Sequence, residues 1–334
     1  MSSEHTGNDN PAVDNQDVCL YYFEHSSPSR KVLIALHEKN VKFRKVRIDL
    51  LKKEQHDRWY LEKINPRGEV PVLKHGDHII VESSCIMKYI DENLGNKRQQ
   101  LYPAIDSISS KVLHYIKLFD SIPTFPLTYG AVAFHTEEVT GILRWPYCSE
   151  DVRKSFRQTI LDMPSNLRNR SSDLTEIPAG KILAEKANSF DNQIMPILQD
   201  IELYRSLLAQ VEAILDEVEA ELSKDDRLGP WLCGPGYTAA DVSFSCLLLR
   251  LYQIGLDEQM WKNDTRPNIS VYQDMAFRRD SVKIASDWEQ NKDKYLSIKN
   301  NDSGNADQVQ AAYWGMAAVG ILGAMYVYKK IRKH

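Results

Sequence analysis

The sequence predicts a small α/β domain with a mixed sheet, an all-α domain after it, and one membrane-spanning helix at the C-terminal end. Three observations carry this. Residues 17–96 alternate β-rich runs with helical periodicities in the order β-α-β-α-β-β-α. Residues 97–299 are helical in pattern, with no strand signal. Residues 311–328 hold 18 positions without a charge.

In the first domain, VCLYYF (18–23) is rich in β-formers and reads as a strand. HSSPS breaks it, and Pro28–Asn40 reads as a helix with Val32, Ala35 and Leu36 inward. Val46, Ile48 and Leu50 alternate as a second strand, and Glu54–Ile64 reads as a second helix. A third strand spans Val70–Leu73, HGD (75–77) is a tight turn, HIIV (78–81) is the fourth strand, and Ser83–Leu94 is a helix. Pro71 conflicts with an apolar strand, because a proline cannot donate to a ladder. A cis proline at the start of the strand resolves this and leaves backbone groups free to meet a ligand.

In the helical half, Thr238 and Asp241 form a T-x-x-D capping box, flanked by Tyr237 and Val242 as a hydrophobic staple. Its expected role is in folding. Residues 266–285 read as a closing helix. Trp145 to about Gln193 is polar and charged and reads as an insertion between the fourth and fifth helices, about 145–193. Ile194, Ile197, Ile201, Tyr204, Leu208, Val211, Leu215, Val218 and Leu222 then follow at heptad spacing. Two readings stand: a long core helix of the bundle, or a helical pair with the insert that projects toward a protein partner.

The tail segment would form a helix of about 27 Å, enough for a thin bilayer core. Tyr313, Trp314, Tyr326 and Tyr328 lie at its two ends, as an aromatic belt requires. A polar linker (300–310) precedes it and the basic tail 329–334 follows. A buried core helix is the alternative, but such a helix keeps a polar stripe, and this one has none. A short, moderately apolar span flanked by bases favours the mitochondrial outer membrane, with the bulk of the chain in the cytosol. Residues 1–16 read as a disordered arm without an apolar run or cationic segment, which argues against a secretory signal or cleaved transit peptide.

The net charge of -4 is small for 334 residues and gives no reason to expect nucleic acid as a partner. The five cysteines are scattered, form no CxxC pair and have no His at metal-ligand spacing. No metal site and no disulfide framework are expected, and the compartment is read as reducing.

The element order, the Val70-Pro71 step and the Glu82-Ser83 pair before a helix resemble the thioredoxin-fold half of glutathione transferases. That resemblance implies that backbone beside the cis proline pairs with the cysteinyl part of glutathione. It also implies that Ser83 binds the γ-glutamyl carboxylate, where free N–H groups and the helix dipole favour an anion. Val70, Pro71, Glu82 and Ser83 are therefore the candidate glutathione-binding residues, although a helix start is by itself a sufficient reason for a serine.

The same family supports the glutathione thiolate at the N-terminus of its first helix, which makes Ser26 and Ser27 the candidate catalytic residues. Ser26 falls where the omega class has its cysteine, and the two serines overlay the paired serines of the zeta class. Against this, Ser27-Pro28 reads as a plain N-cap with proline at the first helical position. Pro28 stands where zeta enzymes have cysteine, and Glu69 places an anion beside an anionic ligand. The sequence around His25 offers no reason to expect a base, and it reads as a surface residue.

HSSPSRKV, GEVPVL, HGD, HII, ES, WLCGPGYTAADVS and RPN, together with the charged insertion and the basic-tailed membrane helix, resemble the ganglioside-induced differentiation-associated protein family over residues 18–334. An invertebrate member is the expected kind. The resemblance implies the mitochondrial outer membrane, to some extent the peroxisomal membrane, and a part in organelle fission and in redox and calcium balance. It implies no cofactor beyond glutathione as ligand or substrate, weak or absent conjugation, and a homodimer as one mode of assembly. The alternative is a membrane-tethered transferase that conjugates glutathione to hydrophobic electrophiles.

Overall fold

The computed structural model describes residues 17–286 apart from 51, 136, 137, 140, 145–149 and 263. The expected arm, the 300–310 linker, the 311–328 helix and the basic tail lie outside the described residues. Among the described residues no helix is long and apolar enough to cross a membrane.

The first domain runs β1 (Val18–Tyr22), α1 (Ser27–Glu38), β2 (Arg44–Arg47), α2 (Arg58–Lys63), β3 (Val72–His75), β4 (His78–Val81) and α3 (Ser83–Asn93). The sheet order is β2-β1-β3-β4. β1 is parallel to β2 and antiparallel to β3, and β3 is antiparallel to β4. This is the expected mixed sheet. Val18, Cys19 and Leu20 of central β1 are buried, while edge strand β2 exposes Arg44, Lys45 and Arg47. Charges on an edge discourage pairing with other chains. β2 ends at Arg47, although Ile48 N–H still donates to Tyr22 O at 2.9 Å.

Two boundaries differ from expectation. Glu54–Ile64 is a 3-10 turn, Glu54–His56, followed by α2, because Asp57 takes extended backbone (ψ 143°) between them. At α1 the N-cap is Ser26, not Ser27: its hydroxyl accepts from Ser29 N–H at 3.3 Å, and Pro28 sits in the first turn. Proline is tolerated there because those N–H groups have no intrahelical acceptor.

The helical half comprises α4 (Asp106–Asp120), α5 (Thr124–Ala133), α6 (Glu150–Ser172), α7 (Pro178–Gln193), α8 (Met195–Gln199), α9 (Ile201–Leu222), α10 (Ala239–Gln253), α11 (Asp257–Met260), α12 (Pro267–Phe277) and α13 (Asp280–Ala285). Every residue of α10 from Ala239 to Leu251 is buried, so this helix is the axis of the molecule. It packs on α4 and on α1, and α13 closes over α1 from another side. Arg279, just before α13, pairs with Glu38 at 2.7 Å. The main apolar core is therefore continuous from β1 and α1 into the helical half.

The heptad stretch from Ile194 is not one helix. Pro196 opens α8, and Asp200 caps a new start by accepting from Glu202 N–H at 2.9 Å. Along α9, Tyr204, Leu208, Val211, Leu215, Val218 and Leu222 are buried, as a bundle-core helix requires. The Tyr204 ring lies where a Cβ on Gly130 of α5 would come within 2.0 Å, so the close packing of α5 on α9 depends on that glycine. The closing helix expected over 266–285 is split into α12 and α13 by extended backbone at Arg279.

The insertion forms a helical hairpin of α6 and α7. Ser171 Oγ donates to Gly180 O at 2.8 Å near its tip, and Arg168 pairs with Asp191 further back. The hairpin folds onto the first domain. Arg170 donates twice to His56 O, at 3.0 and 2.9 Å, and Arg58 pairs with Glu176 at 2.7 Å.

Candidate functional site

The site residues foreseen in the sequence fall into two groups around one end of the first domain's sheet. The Val70-Pro71 bond is cis, as the strand conflict requires. Pro71 stands just before β3, so its missing N–H interrupts no ladder pair. Phe23, which leads into the β1–α1 loop, shares a small apolar cluster with Val70, Val72 and Tyr60, so the serine loop and the cis step are neighbours.

Glu69 O is held by Tyr60 OH at 2.7 Å and Asn65 Nδ2 at 3.1 Å, which fixes the approach to the cis bond. Among the described residues no hydrogen bond uses the N–H or C=O of Val70. These are the groups a peptide ligand would pair with.

Glu82 has φ +66°, a backbone conformation that a non-glycine residue adopts at a cost of order 1–3 kcal/mol. β3 pairs Val72 with Val81, so α3, which begins at Ser83, starts beside the cis step. Ser83 is half-buried, and nothing in the described chain uses its hydroxyl. The adjacent Ser84 hydroxyl donates to Asp120 at 2.8 Å, and Asp120 also pairs with Lys31 of α1.

The serines of the β1–α1 loop are less available. Ser26 is 1% exposed and is spent as the N-cap of α1. Ser27 is 5% exposed, and its hydroxyl accepts from Arg250 of α10 through Nε at 3.2 Å and Nη2 at 3.0 Å. Arg250 also donates to His25 O at 2.7 Å. His25 is buried, which corrects its reading as a surface residue. Its ring packs edge-on against Phe23 at 5.2 Å. Burial and the nearby Arg30, Arg250 and Arg47 push its pKa well down, so it stays neutral near pH 7.

Sequence reasoning missed two residues that the fold brings to the site. Arg250 interrupts the leucines of LLLRL (247–251), and a cation inside an apolar run signals a buried, partnered charge. Lys186 carried no such signal. It reaches from α7 of the insertion to pair with the Glu69 carboxylate and donate to Arg67 O. Arg67 also pairs with Glu69 at 3.0 Å and lies 3.5 Å from Glu82. Glu69 is thus flanked by two cations. Burial, then the neighbouring Glu69, raises the Glu82 carboxyl, and burial lowers the Lys186 ammonium despite Glu69.

The capping box forms as expected. Asp241 accepts from Thr238 N–H at 2.8 Å and from Thr238 Oγ1 at 2.7 Å. It also accepts from Leu232 N–H at 2.8 Å and Tyr272 OH at 2.7 Å, which ties α10 to the preceding loop and to α12. No group of residues suited to hold a metal occurs among the described residues.

An extended cis-proline edge, a helix N-terminus beside it and a helical domain after it define a glutathione S-transferase-like protein. Residues 20–98 match the model of the glutathione S-transferase N-terminal domain, and residues 199–272 that of the C-terminal domain. Within that class the chain is similar to the ganglioside-induced differentiation-associated proteins. It is 26% identical over 272 residues to human ganglioside-induced differentiation-associated protein 1-like 1, across 79% of this chain and 72% of that protein. The mouse protein of that name is 26% identical over 275 residues, with the same coverage.

Among solved structures, the beta-etherase LigF from Sphingobium superposes with a TM-score of 0.57 at 22% identity, over 81% of this chain and 99% of LigF. Glutathione transferase F2 from Populus trichocarpa superposes with a TM-score of 0.54 at 20% identity, over 82% of this chain and 99% of that one. At such identities these likenesses speak to the fold alone. The residues between the two matched domains, 99–198, include the α6–α7 hairpin.

Proposed function

We propose that this glutathione-transferase-like protein is anchored by residues 311–328 in the mitochondrial outer membrane, with its folded body in the cytosol. There it acts in mitochondrial fission and network shape and in redox or calcium balance. A share in the peroxisomal membrane fits the same anchor. Its site holds a glutathione-type ligand and conjugates it weakly or not at all.

The observation that carries the catalytic part is the use of the loop hydroxyls. Ser26 caps its helix and Ser27 is held by Arg250, both out of solvent. A serine that supports a thiolate has to donate its O–H to the ligand's sulfur, and burial keeps both hydroxyls away from a ligand in the cleft. The cis step and Ser83 stay available, which supports binding without turnover. The anchor rests on the uncharged span, its terminal aromatics and the bases that follow.

Two experiments test this. Residues 1–308 expressed in cells should leave the mitochondrial fraction and lose any effect on organelle shape; a truncated chain that still fractionates with mitochondria overturns the anchor. Thiol-conjugation kinetics on the full chain in detergent should show little turnover, unchanged by Ser26→Ala or Ser27→Ala. Robust turnover lost in either variant would instead establish a membrane-tethered transferase.

A further inference from the structure

The charge at the cis-proline step is set by a residue that neither glutathione-transferase domain supplies. Arg67, Glu69 and Glu82 all belong to the first domain, and alone they would leave the step with one cation and two carboxylates. Lys186 arrives from α7 of the hairpin and brings the cluster to balance. Its ammonium is not a surface contact: the Lys186 side chain is 11% exposed and the Glu69 side chain 9%. The hairpin is held over this place independently, through Arg170 on His56 O and through Arg58 and Glu176. The position of Lys186 therefore follows from the packing of the whole hairpin.

Glutathione near pH 7 carries two carboxylates and one ammonium. Such a ligand meets repulsion at a step with excess negative charge, and the repulsion is strong where water is excluded. With Glu69 neutralised, the free N–H and C=O of Val70 and the first turn of α3 can receive an anionic peptide.

We propose that Lys186 is a positioning residue of the ligand site, acting through Glu69: the insertion completes the site and fits it to an anionic peptide thiol. This rests on the glutathione-binding reading above. It also gives the hairpin a role in ligand selection, since α7 supplies the second cation on Glu69.

The test compares glutathione with its monoethyl ester, which has one carboxylate fewer, by titration calorimetry on the full chain in detergent. Lys186→Met should weaken glutathione by about tenfold or more and leave the ester nearly unaffected. Lys186→Arg should keep glutathione near the wild-type affinity, and Glu69→Gln combined with Lys186→Met should recover it. Equal or tighter glutathione binding in Lys186→Met overturns the proposal, and so does an equal loss for both ligands, which marks a purely structural contact. A wild-type chain that binds neither ligand removes the glutathione reading itself, and this inference with it.

Discussion

Arg250 of α10 donates two hydrogen bonds to the Ser27 hydroxyl, at 3.0 and 3.2 Å, across the boundary between the two domains. The same guanidinium holds His25 O. One buried cation thus holds the chain on either side of Ser26. Arg250→Met leaves the Ser27 hydroxyl and the His25 carbonyl without this donor. The expected cost is about 2–4 kcal/mol of stability, and Ser27→Ala should cost less, about 1–2 kcal/mol. Denaturant unfolding of both variants and of their combination checks this. The double variant should lose less than the two losses added, because each removes the same contact.

The Glu69–Lys186 pair makes a separate prediction about folding. Removing one partner of a buried ion pair leaves the other uncompensated, so Lys186→Met should cost about 3 kcal/mol, softened by Arg67. Adding Glu69→Gln should restore most of the loss. If the single variant matches wild type in unfolding, the pair contributes nothing and the hairpin is held by its other contacts.

Asp241 accepts from Thr238, Leu232 and Tyr272 in a fully buried position. Asp241→Ala orphans those donors together and should destabilise by about 3 kcal/mol or more, against about 1 kcal/mol for Thr238→Ala. Thermal unfolding should rank the two variants in that order.

Stability should fall on mild acidification. His56 is pushed down to about 3 by burial, then by Lys186, Lys53 and Arg170, from an ordinary 6.5. Between those values the unfolded chain binds the proton and the folded chain does not. The contribution is therefore complete above pH 6.5 and is lost as the pH falls toward 3, at about 1.4 kcal/mol per pH unit once well below 6.5. His25 acts in the same direction. Unfolding midpoints from about pH 7 to about pH 5 should drop more steeply in wild type than in His56→Gln.

Gly130→Ala should also be damaging. Its Cβ would meet the Tyr204 ring at 2.0 Å, between two helices with no open space at the contact. A loss of about 2–3 kcal/mol is expected, read from denaturant midpoints. Gly76→Ala is the control for positive φ without a clash, since nothing lies within 4 Å of its Cβ position.

Much of the fold was legible because local patterns and tertiary needs agree. The β-formers of VCLYYF, the proline conflict at Pro71 and the T-x-x-D signature each express a backbone requirement within a few residues, and each appears as expected. The misread boundaries have equally local causes. Asp57, Asp200 and Arg279 take extended backbone in the middle of apolar periodicities, and the hydrophobic pattern runs across such breaks without recording them. The setting of His25 was illegible, because the charges that press on it come from three other elements, at Arg30, Arg47 and Arg250.

The sequence by itself determined the α/β domain followed by a helical one, the cis step and the capping box. These depend on periodicity, turn chemistry and hydropathy, which act over a few residues. Only the tertiary structure decided how the candidate site is used. Arg250 reaches Ser27 across 223 positions, and Lys186 reaches Glu69 from a hairpin whose own sequence gave no hint of it. Hydrogen bonds and ion pairs of this kind depend on distance in space. Neighbours along the chain place no constraint on which side chain arrives from another domain.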